Sequence, residues 1–490
     1  MSSLMKLKQL IKSIDTYNTY SGLEDFEVAG ISCNSKNVKD NFVFIAIKGT
    51  NDDGHRFVQE AISKGAKAVI VQGTGHRAQG TGQPPFILVK DTRKALAKLA
   101  AEFYGHPSSK IKVIGVTGTN GKTTVTYLLE ALLKEAGFAP SVIGTVNYRF
   151  KDRALPSKNT TPGPIELQSM LVDMFFQGAN YAVLEVSSHA LDQNRTEGIN
   201  FHSAIFTNLT QDHLDYHQTL ENYFQAKSKL FGSINSGSFA IINNDNEHGR
   251  RLKRLTRAKI ITYGIDNPAD ITAKDIKFDI AHTEFYLTTV KGEVRLKARL
   301  IGRYNVYNIL ASVAWALEEG IDLSVIKSAI EKFYLVPGRL ERINFDGDFS
   351  VFVDYAHTED ALENVIKTLR QLSSNRIIVV FGCGGERDKT KRPKMGYCVT
   401  ELADCAIITN DNPRSEDPQK IIDDIKRGIK KNNYSVILER FEAIKKSLGM
   451  ATSGDIVLVA GKGHENYQIL KDKVIPFDDC EAVRECLMKT

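Results

Sequence analysis

From residue 110 onward the chain repeats one pattern. Short apolar runs alternate with stretches in which apolar residues recur every three to four positions. Runs of that kind read as buried strands and the recurrence as amphipathic helices, so the alternation predicts a parallel α/β sheet. KIKVIGVTGTNGKTT, 110 to 124, is the clearest case: Ile111, Val113, Ile114 and Val116 form a strand, and Val125, Leu128, Leu129, Leu132 and Leu133 stripe the helix that follows. At LVPGRLE, 335 to 341, Pro337 and Gly338 interrupt a helical run. Beyond it FSVFV, RIIVVFG, CAIIT and DIVLVAG predict a second, doubly wound sheet. Ahead of YGHPSSK, 104 to 110, stand only short β-like runs, NFVFIAI (41 to 47) and KAVIV (67 to 71), with QGTGHRAQGTGQPP, 72 to 85, as an exposed connection between elements.

The predicted architecture is α/β with three domains. A smaller N-terminal α/β domain takes residues 1–105, a central P-loop ATPase-like parallel sheet 106–335, and a Rossmann-like doubly wound domain 336–490. A length of 490 residues requires such a division, since a single core rarely grows past roughly 250 to 300 residues.

Composition narrows the function classes. The chain is 42% hydrophobic and 25% charged, and its net charge of +6 is spread without a dense basic block, so no nucleic-acid partner is expected. Six cysteines lack CxxC or metal spacing, which reads as free thiols in a reducing compartment. MSSLMKLKQLIKSI lacks the apolar core of a signal peptide, and no apolar stretch is long enough to span a bilayer. The expected location is cytoplasmic, with no membrane partner.

The strongest chemistry lies at the end of the first strand. A strand, a glycine turn, a lysine and a helix N-terminus form a phosphate cradle: backbone N–H groups point at the anion and the helix dipole favours it. Gly118, Thr119, Asn120, Gly121, Lys122, Thr123 and Thr124 make up that turn, with Lys122 for the terminal phosphates and the Thr123 hydroxyl for Mg²⁺. The spacing is unusual, because Val116 stands where a strict GxxxxGK[ST] loop needs glycine. In YAVLEVSSH the apolar run ends on Glu185, a carboxylate suited to the same Mg²⁺, and IFTNLTQDHLDYH crowds Asp212, His213, Asp215 and His217 after a further strand.

These residues resemble the Mur ligase family, ATP-dependent enzymes that form amide bonds in peptidoglycan precursor synthesis. GTNGKTT is similar to that family's own phosphate loop, which accounts for Val116. The likeness continues through NTTP (159 to 162), EVSSH (185 to 189), NLTQDHLDYH (208 to 217), AKSKLF (226 to 231), GRYNVYN (302 to 308), PGRLE (337 to 341), DYAHT (354 to 358) and GCGGERDKTKRPKMG (382 to 396). Within the family the set looks like the acid–amino-acid ligase that adds the third stem-peptide residue to UDP-N-acetylmuramoyl-L-alanyl-D-glutamate.

The resemblance implies roles for particular residues. Lys122, Glu185, His213 and Lys227 would be catalytic. Lys227 would carry a CO₂-derived carbamate and, with Thr123, Glu185 and His213, hold Mg²⁺. Asn305 and Arg339 would contact ATP beside the loop. Asn159, Thr160, Thr161, Ser187, Gln193 and Arg195 would hold the UDP-muramoyl dipeptide, and Ser35 its uridine. At Ser35 the chain departs from the family's Asp-Ser-Arg, having Asn34 and Lys36 as neighbours, and Glu359 replaces a usual proline.

The C-terminal strands end in DYAH, GCGGERD, NDNPR and GKGHE. In a doubly wound sheet ligands gather beyond such ends. One rim would collect Asp354, His357, Arg387, Asp411, Asn412, Arg414, Gly461 and Glu465, a complement to a zwitterion. Pro413 completes DNPR, which resembles the diaminopimelate-adding signature, with Arg414 clamping a carboxylate that lysine lacks. The alternative for Arg414 is a surface ion pair with Glu416 or Asp417; Asp417 and Pro418 read as N-cap and first residue of a helix. The expected ligands are ATP, UDP-MurNAc-L-Ala-D-Glu and meso-diaminopimelate, on a monomer. Competing readings are a lysine-adding ligase, a folylpolyglutamate synthase and a P-loop nucleotide switch; for the last, no guanine-specifying NKxD follows a strand.

Overall fold

The computed structural model describes residues 5–17, 24–49, 52–73 and 84–488. Among them three large sheets form. Residues 74–83 of the connection expected over 72 to 85 lie outside the described residues.

The N-terminal sheet has four parallel strands in chain order, Gly30–Ser32, Phe42–Ile45, Ala66–Gln72 and Phe86–Val89. The helix Thr92–Phe103 covers it, opened by Asp91, whose carboxylate accepts from the N–H groups of Arg93 and Lys94.

The central sheet has eleven strands. Its middle is parallel, in the spatial order Pro140–Ile143, Tyr181–Glu185, Lys112–Thr117, Phe201–Phe206, Phe239–Asn243, Lys259–Gly264. Lys112–Thr117 leads into the helix Lys122–Glu135, whose predicted stripe Val125, Leu128, Leu129, Leu132 and Leu133 is wholly buried. Each such side chain removed from water contributes about 2 kcal/mol before entropy is counted, which fixes the helix N-terminus against the strand end. The parallel middle expected from the sequence carries antiparallel strands at both edges. The antiparallel pair Asn147–Phe150 and Arg153–Pro156 extends one edge, and Ile271–Phe278, Thr283–Thr289 and Gly292–Ala298 form an antiparallel meander at the other. These strands keep a solvent face, so short turns suffice where parallel strands need crossovers. Lys151, at φ 51°, occupies one two-residue turn, and Gly292, at φ 125°, closes another.

The C-terminal sheet runs Glu341–Ile343, Ser350–Asp354, Ile456–Ala460, Ile377–Phe381, Cys405–Ile408, Tyr434–Val436. The four strands expected from sequence are its parallel centre, and only the short first strand is antiparallel. Loops beyond the carboxyl ends of the central and C-terminal strands face each other. Asn120 Nδ2 donates to Asp360 Oδ2 at 2.7 Å, Thr210 Oγ1 donates to the same oxygen at 3.2 Å, and Lys394 Nζ donates to Gln211 Oε1 at 2.9 Å. Asn194 Nδ2 reaches Asp91 Oδ2 at 3.2 Å and so ties the N-terminal unit to the central one. No helix among the described residues is long and apolar enough to cross a membrane.

Candidate functional site

The two larger of the cavities between the facing loops carry predicted site residues. The first, about 430 Å³, lies over the phosphate loop. Gly118 (φ 153°) and Gly121 (φ 85°) must be glycine: a Cβ on the first would sit 1.8 Å from Thr207 Oγ1, and on the second 2.3 Å from Asn308 Oδ1. The loop is tied down where Thr119 N donates to Asn208 O and Asn120 N to Asn208 Oδ1, both at 2.9 Å. Asn120, Gly121, Thr123 and Thr124 line the cavity, whereas Lys122 is folded back, its Nζ donating to the carbonyls of Gly118 (2.9 Å) and Thr119 (2.8 Å).

The carboxyl end of Tyr181–Glu185 delivers Glu185 beneath the loop, 1% exposed. Thr123 Oγ1 donates to Glu185 Oε2 at 3.1 Å, Thr145 Oγ1 to the same oxygen at 2.9 Å, and Thr145 N to Oε1 at 3.0 Å. Arg339, from PGRLE, donates from Nη2 to Thr123 Oγ1 at 3.3 Å, and its guanidinium lies 4.5 Å from the Tyr355 ring centroid. It is brought there by a tight turn in which Gly338 has φ 64°; a Cβ at Gly338 would lie 2.2 Å from His464 N. Asn305 does not line the cavity. Its Nδ2 donates to Ile301 O at 2.8 Å, its Oδ1 accepts from Asn308 Nδ2 at 3.0 Å, and Asn308, one helical turn on, is the residue in the wall.

Lys227 is buried on the helix Leu220–Ser233. Its Nζ donates to Gly118 O at 2.7 Å, the carbonyl that also receives Lys122, and stands 4.5 Å from the Tyr223 ring centroid. Burial, and then the neighbouring Lys122 charge, hold its amine well below the ordinary lysine range. Among the described residues no three His, Cys, Asp or Glu side chains gather as a metal cage.

The second cavity, about 410 Å³, takes its walls from the central and C-terminal units. On the central side are Asn159, Thr160, Thr161, Ser187 and Arg195, with His189, Asp212, His213 and Asp215. Thr161 Oγ1 donates to Glu185 O at 2.7 Å and accepts from Ser187 N at 3.0 Å, while Thr160 Oγ1 is 3.1 Å from Thr145 Oγ1, so this wall is braced on Glu185. Gln193 stays behind the wall and steadies Arg195, accepting at Oε1 from Nε (3.1 Å) and Nη2 (2.8 Å). Burial lowers His213 to about 3, although its Nε2 lies 3.4 Å from Asp212 Oδ2. Ser35 is in neither wall: it sits in the N-terminal unit, its hydroxyl donating to Glu60 Oε2 at 2.8 Å.

The C-terminal side contributes Arg387, Asp411, Asn412, Arg414, Gly461 and Glu465. Pro413 is not in the wall; its carbonyl presses on the bare Cα of Gly385, where a Cβ would come within 1.9 Å. Arg414, at φ 54°, donates from Nη1 to Gly385 O at 2.7 Å and makes no ion pair within 4.0 Å among the described residues. The surface pair with Glu416 or Asp417 is absent. Glu416 is held instead by Arg392, at 3.0 and 3.1 Å, and Asp417 caps the helix Pro418–Lys426. Asn412 Nδ2 donates to Glu465 Oε2 at 2.8 Å, and buried Lys462 stands 3.4 Å from that oxygen. Burial, then the Asp411 charge, raise Glu465 above the usual carboxylate range. Sequence reasoning did not assign Asn308, Lys391, Lys462 or Asp360. Asn308 and Lys462 stand inside GRYNVYN and GKGHE, where the motif itself was the available signal.

Three family models match the chain: "Mur ligase family, catalytic domain" over 27–104, "Mur ligase middle domain" over 116–316, and "Mur ligase, glutamate ligase domain" over 338–463. A curated relative from Clostridium tetani, named UDP-N-acetylmuramoyl-L-alanyl-D-glutamate–2,6-diaminopimelate ligase, is 44% identical over 99% of both chains. One of the same name from Aquifex aeolicus is 46% identical over 94% of both. A solved structure titled as the same ligase superposes with a TM-score of 0.69 at 33% identity, covering 99% of each chain. A folylpolyglutamate synthase from Mycobacterium tuberculosis, at 15% identity and TM-score 0.65 over 80% of this chain and 95% of its own, shares the fold.

Proposed function

Because this chain belongs to the Mur ligase family, we propose that it joins meso-2,6-diaminopimelate to UDP-N-acetylmuramoyl-L-alanyl-D-glutamate at the expense of ATP, in peptidoglycan precursor synthesis. The observation that carries the third substrate is Arg414. Its guanidinium is fixed on Gly385 O, lacks a carboxylate of its own, and borders a cavity shared with Glu465 and Asn412. A ligand carboxylate completes that arginine, and the paired amide and carboxylate suit the ammonium beside it.

In this reading residues 1–105 hold the uridine end through Ser35, 106–335 bind ATP, and 336–490 bind the amino acid. The dipeptide lies along Asn159, Thr160, Thr161, Ser187 and Arg195, with Gln193 bracing the arginine. Its D-glutamate carboxylate takes the γ-phosphoryl group of ATP, giving an acyl phosphate, and the incoming amine then displaces phosphate. Lys122 leaves the Gly118 and Thr119 carbonyls to meet the terminal phosphates, and Arg339 carries the C-terminal unit onto the loop.

Thr123 and Glu185 fit Mg²⁺, being a hydroxyl and a carboxylate, both hard oxygen donors, 3.1 Å apart, with no cage of three His, Cys, Asp or Glu side chains among the described residues, the pattern of an ion that completes its shell with water and phosphate. Lys227 fits a carbamate, since burial without an ion pair among the described residues lowers its pKa and so favours the neutral amine that CO₂ requires. Thr123, Glu185, His213 and carbamylated Lys227 would hold Mg²⁺, which would supply the positive charge against which two anions meet. The protein acts as a cytoplasmic monomer. The test is phosphate release from ATP, Mg²⁺ and UDP-muramoyl dipeptide, with meso-diaminopimelate, L-lysine and L-ornithine run in parallel. Release that ignores which amino acid is present sinks the assignment.

A further inference from the structure

We propose that His357 is the base that takes the proton from the incoming amino group, an assignment that rests on the ligase reading above. The amine arrives as an ammonium ion, which has no lone pair with which to attack, so a proton acceptor must stand where it meets the acyl phosphate. The acyl phosphate forms from the nucleotide side and the amine enters from the other, and His357 lines both cavities.

The ring is held in one tautomer. Nδ1 lies 2.7 Å from Tyr355 O, and a carbonyl only accepts, so Nδ1 carries the hydrogen and Nε2 the lone pair. The Tyr355 ring packs edge-on at 4.6 Å and fixes the plane. Among the described residues Nε2 makes no hydrogen bond.

The other candidates are engaged. Glu465 is bonded to Asn412 and close to Lys462; Asp354 accepts from the N–H groups of Leu340 and Ala356; Asp360 receives Asn120 and Thr210. His189 and His213 line the acceptor cavity and not the nucleotide one. Burial, first, and the Lys391 charge, second, lower His357 to about 4, with Arg339 adding to the lowering, while Asp212 and the hydrogen bond to Tyr355 oppose it. The imidazole is therefore neutral through the physiological range, and the negative charge of a bound acyl phosphate would raise its affinity for a proton.

The ammonium gives one proton to Nε2, the nitrogen lone pair attacks the acyl carbon, and the C–N bond forms; the C–O bond to phosphate then breaks with its electron pair leaving on phosphate, and the second ammonium proton passes from nitrogen to that departing phosphate. The imidazolium then returns its proton to water at the cavity mouth.

Hydroxylamine separates this role from others, because it is already a neutral amine near pH 7 and traps an acyl phosphate as a hydroxamate without a base. In His357→Gln, kcat for diaminopimelate addition should fall about 100-fold or more, with KM for the amino acid little changed. Hydroxamate formation from ATP, UDP-muramoyl dipeptide and hydroxylamine should stay within about threefold of wild type. An equal fall in both products overturns the proposal, because His357 then serves phosphoryl transfer or folding, and so does undiminished diaminopimelate addition. A wild-type enzyme that makes neither product refutes the ligase reading instead.

Discussion

The two cavities have nearly equal volumes, about 430 and about 410 Å³, and different chemistry. The nucleotide cavity is walled largely by amides and rings, Asn120, Asn208, Asn308, Tyr304 and Tyr307, with Arg303 and Arg339 as its cations and Asp245, Asp354 and Asp360 as its acids. The acceptor cavity sets Arg195, Arg387, Lys391 and Arg414 against Asp212, Asp215, Asp388, Asp411 and Glu465. A nucleotide is recognised mainly by backbone N–H groups and flat neutral surface, which one contiguous loop can offer. A zwitterion needs alternating charge at fixed separations, which only several strand ends together supply. Glu185 joins the two, gripping Thr123 on one side and bracing Thr145, Thr160 and Thr161 on the other.

The largest effect should come from breaking that junction. Glu185→Gln keeps the shape but removes the charge, and kcat should fall roughly 1,000-fold, read as ATP turnover and tripeptide formation together. If only one of the two declined, the cavities would be independent and the junction idle. Arg414→Ala should cost about 3 kcal/mol, or roughly 100-fold in kcat/KM for diaminopimelate, with the KM for ATP unmoved; Arg414→Lys should recover only part, having no planar fork. A matching rise in the ATP KM would erase the distinction between the sites. Asn308→Ala should do the converse and more weakly: about 1 kcal/mol, seen as about a fivefold higher KM for ATP and none for the amino acid.

The smallest effect depends on pH. In the proposed site Glu465 must be ionised to hold the ligand's ammonium, and its pKa is raised by burial and Asp411, so the KM for diaminopimelate should climb as pH falls through that raised value. Glu465→Gln should be flat over the same range. The stability sign is the reverse: a carboxyl raised in the folded state stabilises below its unfolded pKa and loses that contribution as pH rises through the folded one. At pH 8 the Gln variant should therefore melt no lower than wild type by calorimetry.

What could be read from sequence follows the same division. The strand, loop and helix of 112–135 were visible because every determinant is local: apolar spacing, two forced glycines and a lysine within a few turns of chain. The four central strands of the last sheet were visible for the same reason, and their common rim followed from topology. Asn305 and Asn308 could not be told apart by pattern, being one turn apart on the same helix; the angle at which that helix crosses the loop puts only Asn308 in the wall. Asp360 meets Asn120 across 240 positions, and Arg392 is neutralised by Glu416 and Asp424 from a different part of the sheet. Such pairs are products of assembly, and no local signal announces them. The antiparallel edges were legible in principle, since their solvent-facing alternation and tight turns are local, but period-2 patterns at the end of a parallel series are easily absorbed into it.

The turn at Gly338 has a consequence for variation in this chain. Its carbonyl accepts from Tyr355 N, its φ is positive, and the backbone of residues 463 and 464 occupies the space a side chain would need. In a saturation-mutagenesis map, position 338 should appear as intolerant as the phosphate loop while contacting no substrate, so a ranking of sites by tolerance alone would list it among the ligand contacts. The same crowding makes 338 a poor place to open the chain for circular permutation or domain grafting, and the exposed Lys151–Asp152 turn of the central edge hairpin a good one.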